Sequence, residues 1–285
     1  MRDLYKSCRK GLVMNKGYAF VFILLMCILF SAAGTGKQVT AFGDTVSADG
    51  KNQSNNLAWK KKSKYFYAYR NGRKLTGLQK VNGRTYLFDK KGRQQTGWRK
   101  INDKYYFFRI TNGQNGVMLT GKWVNGIKLD KTGAAQVTSG NKRKLSLLVR
   151  YQALADKLVK PATTMRNKLL KVFLYARAKS YGAMTDPGYS GHWDEYLAEC
   201  FLDKPHVDCF GKAAGFAYLA NALGCKDVII RKYGHAHVEI GKLIYDLVLP
   251  NESAGQTSLE FFGKTHSQLP KQASHIRNNH PYRKI

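Results

Sequence analysis

The first long apolar run, YAFVFILLMCILF at residues 18–30, follows a basic head of Arg2, Lys6, Arg9, Lys10 and Lys16 with one acid, Asp3. A bilayer span needs about 20 apolar residues. Thirteen, followed at once by Ser31-Ala32-Ala33, predict a secretory signal over residues 1–33. An uncleaved membrane anchor is the alternative. Residues 34–58 are rich in Gly, Ser, Asn and Thr and predict a flexible linker. From Trp59 short aromatic runs alternate with polar turns. Units close at Gly77, Gly97, Gly121 and Gly140, at spacings of 20, 24 and 19 residues. A period near 20 marks stacked repeats, because one such unit cannot bury its own apolar face. The turns include Asn71-Gly72, Asn82-Gly83, Lys91-Gly92 and Asn125-Gly126. Asn-Gly accepts positive φ at both central positions of a hairpin turn. Residues 59–140 therefore read as four β-hairpins in a short solenoid.

From Lys142 the period turns helical. Leu145, Leu148, Val149, Gln152, Ala155 and Val159 form an approximate i, i+3, i+4 face that Pro161 ends. Thr163 or Thr164 can cap a second helix with Met165, Leu169, Val172, Phe173 and Ala176 inward. Residues 182–192 have loop chemistry, and Trp193 to Phe201 suits another helix. In DCFGKAAGFAYLANALGC, residues 208–225, Phe210, Ala213, Ala214, Ala217 and Leu223 make a helical stripe, with Gly224 placed as its terminator. Residues 227–240 then read as extended, turning at Gly241-Lys242 into a second strand, 243–249. Residues 251–285 show no strong period, and HIRNNHPYRKI, residues 275–285, reads as an exposed basic tail. Residues 141–285 are expected to form one α+β domain.

Composition narrows the classes. The 285 residues are 44% apolar and include 17 Tyr and 14 Phe, too aromatic for a wholly disordered chain. A mean hydropathy of −0.41 excludes a multi-span membrane protein. Lys and Arg outnumber acids 48 to 18, a net charge of +30. Residues 59–140 hold 19 Lys and Arg against three acids, and residues 141–285 hold 22 against 12. A basic surface of this density binds polyanions. For an exported chain these are wall teichoic polymers and anionic lipid. Nucleic acid is not expected, since neither a helix-turn-helix nor a zinc pattern accompanies the charge.

Of five cysteines, Cys8 and Cys27 fall in the leader, leaving Cys200, Cys209 and Cys225. Cys209 opens the small-residue helix, where free amides and the helix dipole favour a thiolate. His235, His237 and Glu239 alternate with Ala236, Val238 and Ile240, and Asp246 lies on the next strand. A hairpin at Gly241-Lys242 puts Asp246 across from His235–His237. Cysteine, histidine and aspartate so arranged are a nucleophile, a base and a group that orients the base. Cys200 and Cys225 read as core thiols or disulfide partners. No Cys-x-x-Cys pair supports zinc, and neither metal nor cofactor is expected.

Two resemblances follow. Gly97-Trp98 and Tyr105-Tyr106-Phe107 resemble the cell-wall-binding repeats of Gram-positive surface proteins, of choline- or glucan-binding type. Tyr65, Thr85 and Tyr105 stand where that pattern has Trp, and Leu78 replaces Trp at one unit start. The resemblance implies wall ligands (teichoic acid, choline or glucan) held by Trp59, Tyr67, Tyr86, Trp98, Tyr106 and Trp123. The alternative is that these aromatics only fill hairpin cores. Residues 160–250 resemble the transglutaminase-like superfamily: Cys209 before a small-residue helix, the G-H-A-x-V-E-I strand, and I-Y-D after a short turn.

That second resemblance implies a papain-like fold, with Cys209 as nucleophile, His235 as base and Asp246 as its orienter. His237 stands where Trp is usual. It further implies a protein or peptide substrate, a thioester, and crosslinking or hydrolysis as the outcome. The backbone amide of Cys209 would serve the oxyanion, with Trp193 or Tyr196 as second donor. Asp208-Cys209 is also similar to wall peptidases with a D-C-S-G signature, which would cleave peptidoglycan stem peptides. A third reading is a catalytically silent surface binder.

Overall fold

The computed structural model describes residues 56–63, 65–110, 116–159, 164–184, 186–189, 191–248, 259, 261–269 and 281–285. The leader and most of the expected linker lie outside them. Leu57 and Ala58, expected in the linker, are strand residues: β1 (Leu57–Lys62) pairs antiparallel with β2 (Tyr65–Arg70), Leu57 opposite Arg70. The short β3 (Arg73–Lys74) adds to β2 through Asn71-Gly72, with φ of 50° and 74°. Three hairpins follow: β4 (Gly77–Val81) with β5 (Arg84–Phe88), β6 (Gly97–Ile101) with β7 (Lys104–Phe108), and β8 (Trp123–Val124) with β9 (Ile127–Lys128). Asn82-Gly83 and Asn125-Gly126 turn two of them with positive φ at both residues. Asn102-Asp103, without a glycine, turns the third at φ of 46° and 61°. Lys91-Gly92 turns the chain after β5, bringing Gln94 back antiparallel to Phe88, with the Gln95 amide donating to Leu87 O at 2.8 Å.

Helix α1 (Lys142–Leu158) follows the repeats, and α2 (Met165–Arg177) is capped by the Thr164 side chain, which accepts the Asn167 amide at 3.2 Å. A two-residue parallel ladder joins β10 (Ser180–Tyr181) to β11 (His206–Val207) across α3 (Trp193–Asp203). Then comes α4 (Cys209–Ala222), followed by Gly224 at φ 90°. The predicted single stripe of α4 is too narrow. Ala213 to Ala220 are all buried, as in a helix packed on every side. Gly215 allows this, since a Cβ there would meet the Phe201 ring at 2.3 Å.

Beneath α4 lies an antiparallel sheet of order β15-β14-β13-β12-β16, comprising β12 (Val228–Lys232), β13 (Ala236–Ile240), β14 (Leu243–Tyr245), β15 (Phe262–Lys264) and β16 (Tyr282–Lys284). The expected single extended piece 227–240 is thus two strands, joined at Tyr233-Gly234-His235. The second expected strand stops at Tyr245 rather than 249. The end of the chain is not an exposed tail either: β16 pairs with β12, and Ile285 is buried.

All described residues belong to one unit, Asn55–Ile285. The later repeats share its core. Trp98, Ile127 and Leu129 sit in one cluster with Leu145, Leu148 and Tyr151 of α1 and with the α4 interior. Arg99 pairs with Asp156 of α1 at 2.7 Å. Gly97, at φ 78°, faces Gln152 so closely that a Cβ would lie 1.8 Å from its Oε1. A smaller cluster of Ala68, Val81, Tyr86 and Phe88 serves the first hairpins.

Candidate functional site

Asp208 caps α4, its Oδ1 accepting the Gly211 amide at 2.9 Å, so Cys209 is the first helical residue. Burial pushes the Asp208 carboxyl up, against the pull of the Gly211 and Phe210 amides. The Tyr233–His235 turn delivers its last residue to the same place. His235 Nε2 lies 2.8 Å from Asp246 Oδ2 and 3.0 Å from Oδ1, leaving Nδ1 as the nitrogen for Cys209, with which His235 shares a hydrogen bond. Asp246 is buried and fixed as the chain leaves β14: its amide donates to Phe261 O at 3.1 Å, and its Oδ1 accepts the Val248 amide at 3.0 Å. Cys209, His235 and Asp246 are therefore brought together.

His237 has a different environment. Ala236 and Val238 point into the core shared with α4. His237, on the other face of β13, is fully buried, 3.3 Å from the Tyr233 hydroxyl and 3.4 Å from Glu239 Oε1. Burial lowers its affinity for a proton. Glu239 is held low, at about 2: burial opposes this, but hydrogen bonds from His237 and Arg231 prevail. His235 moves the other way. Burial alone would lower it, yet hydrogen bonds to Asp246 and Cys209 outweigh that and raise it to about 10.

The expected oxyanion side chains are Trp193 and Tyr196. Trp193 is buried with its ring 5.7 Å from Lys232 Nζ, and the Tyr196 ring lies 5.9 Å from the Arg143 guanidinium. The hydroxyl that reaches the sulfur is that of Tyr181, which is 60% exposed. Burial of the hydroxyl and the adjacent Cys209 hold its proton on. The parallel ladder pairs Tyr181 with Val207, two residues before Cys209. Tyr233 was also missed: its ring lies 5.8 Å from each imidazole of His235 and His237. Cys200, buried, and Cys225, half-buried, form no disulfide, so the expected disulfide alternative does not hold. Burial pushes the Cys225 thiol up to about 11. Among the described residues, no group of three or more His, Cys, Asp or Glu could hold a metal ion.

The repeat aromatics divide. Trp98 is 2% exposed; its Nε1 donates to Asn125 Oδ1 at 2.9 Å and its ring meets Phe107 at 5.3 Å. Trp59 packs edge-on against Tyr86 at 5.1 Å, beside Phe88. Tyr67 is half-buried with Lys74 Nζ 4.9 Å from its ring centre. Tyr106, also half-buried, bridges Ala134. Trp123 is 67% exposed, with Lys128 Nζ 5.4 Å from its ring.

Residues 75–123 match the family described as Choline-binding repeat. The match falls within the expected repeat region, over its second and third hairpins. Similar solved structures include choline binding protein F from Streptococcus pneumoniae with a peptidoglycan analogue, at 22% identity, 28% of this chain, 26% of that one and a TM-score of 0.26. The modular Cpl-1 endolysin with a peptidoglycan analogue is 33% identical over 28% of this chain and 25% of its own, at a TM-score of 0.26. The pneumococcal cell wall endolysin from phage Cp-1, complexed with choline, is 31% identical over 31% of this chain and 28% of its own, at a TM-score of 0.26. The chain thus spans about a quarter of these proteins. No curated protein matches it. Among the described residues no helix is long and apolar enough to cross a membrane.

Proposed function

We propose that the chain is an exported, wall-associated cysteine acyltransferase or hydrolase of transglutaminase-like type, acting on a glutamine carboxamide or a peptide bond. The observation that carries this reading is the convergence of Cys209, His235 and Asp246 at the start of a buried helix. In the proposed mechanism His235 Nδ1 already holds the proton that Cys209 has given up, as an imidazolium, before substrate arrives. The sulfur attacks the carbonyl carbon, and the C–O π electrons move to oxygen. The Cys209 amide and the Tyr181 hydroxyl donate to that oxyanion. As the tetrahedral centre collapses, the C–N bond breaks and His235 returns the proton to the leaving amine. A thioester remains. Water or a second amine then attacks it, giving hydrolysis or transfer. Asp246 keeps the imidazole oriented and favours its charged form.

The repeats would hold the enzyme on the wall, through choline, glucan or teichoic polymer, which suits substrates displayed there, stem peptides included. A second reading, a surface binder without turnover, is favoured by the comparisons, whose family match falls in the repeats.

Turnover by the native chain and by Cys209→Ala, Cys200→Ala and Cys225→Ala separates the two. Purified stem peptides, and a glutamine donor with a fluorescent amine, serve as substrates. Loss confined to Cys209→Ala is expected. Equal loss from all three would indicate a structural set of cysteines, and no turnover by the native chain would favour the binder.

A further inference from the structure

Lys232 is fully buried one residue before the turn that carries His235. A buried ammonium is costly unless its protons and charge are compensated. Here the compensation comes from one stretch of chain, from the nucleophile's own helix and from the Trp193 ring of α3. Nζ pairs with Asp186 and donates to Gly188 O at 2.7 Å. It lies 4.2 Å from the Tyr189 ring centre and 5.2 Å from that of Phe210, the residue after Cys209. Aromatic faces attract a desolvated cation. Tyr189 and Phe210 thus meet across a single charge.

The same stretch is tied at its other end. The Gly182 amide donates to Val207 O at 3.2 Å, continuing the β10–β11 ladder, and Tyr181 bonds the sulfur. Between the two ties, Met184 packs on the first turn of α4: a Cβ on Gly211 would lie 3.0 Å from its Sδ. Tyr181 and Tyr189, 60% and 50% exposed, flank the helix start with open rings.

We propose that Lys232 is a positioning residue that clamps Asp186, Gly188 and Tyr189 against the start of α4, and so shapes the substrate-facing wall beside Cys209. This rests on the catalytic reading above. A methionine could fill the same volume, but it could not hold the carboxylate, the carbonyl and the two rings together.

The test uses the full chain and two variants. Lys232→Met removes the charge while leaving Asp186 free to meet water, as its side chain is 52% exposed. Asp186→Asn weakens the clamp from the solvent side should Lys232→Met fail to fold. Two readouts are taken: chymotryptic cleavage after Tyr189, followed by mass spectrometry, and the separate KM and kcat for a peptide substrate. Cleavage after Tyr189 should quicken and KM rise by about tenfold, as for a lost hydrogen bond to a charged group, with kcat nearly kept. Lys232→Arg should restore part of both. Native cleavage rates in both variants would overturn the clamp. Faster cleavage with native KM would overturn its role in shaping that wall. A native chain with no turnover would instead fail the catalytic reading itself, while the cleavage rates would still report the clamp.

Discussion

Two opposing effects meet at the His235 imidazole. Burial disfavours its charge, while the Asp246 and Cys209 partners favour it and win, raising it to about 10 from the ordinary 6.5. A base raised in the folded state contributes stability that is fully present below its unfolded value of about 6.5 and is lost as pH rises through about 10. Asp246→Asn removes the main support. The alkaline limb of kcat/KM should therefore fall from near 10 toward the ordinary imidazole range. The stability gap between native and variant, measured by urea melts, should shrink between pH 7 and 10. An unmoved alkaline limb would detach Asp246 from the imidazole. The residue types of this site could be read from the chain because cysteine at a helix start and a nearby His–Asp pair carry chemistry in themselves. Tyr181 could not. It reaches the sulfur through a two-residue parallel ladder with Val207, and contacts between distant short segments leave no local period.

At the scale of elements, Asn-Gly announced its turns because few other pairs accept two positive φ values. Asn102-Asp103 adopts the same conformation without that signal. The turn at Tyr233–His235 was hidden because the polar–apolar alternation that runs from His235 to Ile240 begins at its last residue, and Gly234 is its only turn signal. Its consequence is functional: His235 leaves the strand face while His237 stays buried in it. The last strand was hidden by its basic composition, since Arg283 and Lys284 look solvated until β12 offers them an edge. Trp98 and Trp123, equivalent in the repeat pattern, have different roles once α1 covers the first. Trp98→Ala should cost about 3–5 kcal/mol of stability, as for other large buried aromatics. Trp123→Ala should stay within about 0.5 kcal/mol, as for an exposed side chain, yet weaken retention on Gram-positive walls. Chemical denaturation and a wall pull-down check both. Undiminished retention would remove Trp123 from the binding surface.

Over the whole molecule, positive charge concentrates in the repeats and the candidate chemistry lies after them, yet one core joins the two through Trp98, Ile127 and Leu129. Four hairpins and an α+β region were legible because their periods differ. Their fusion was not, because it depends on which face of Trp98 meets α1. The most direct measurement is intact-mass spectrometry of the chain quenched in acid during turnover of a stem-peptide or glutamine-donor library. One acyl group, mapped to Cys209, labile to hydroxylamine and absent from Cys209→Ala, is the predicted result. An unmodified native chain while substrate is consumed, or an adduct on Cys200 or Cys225, would contradict it.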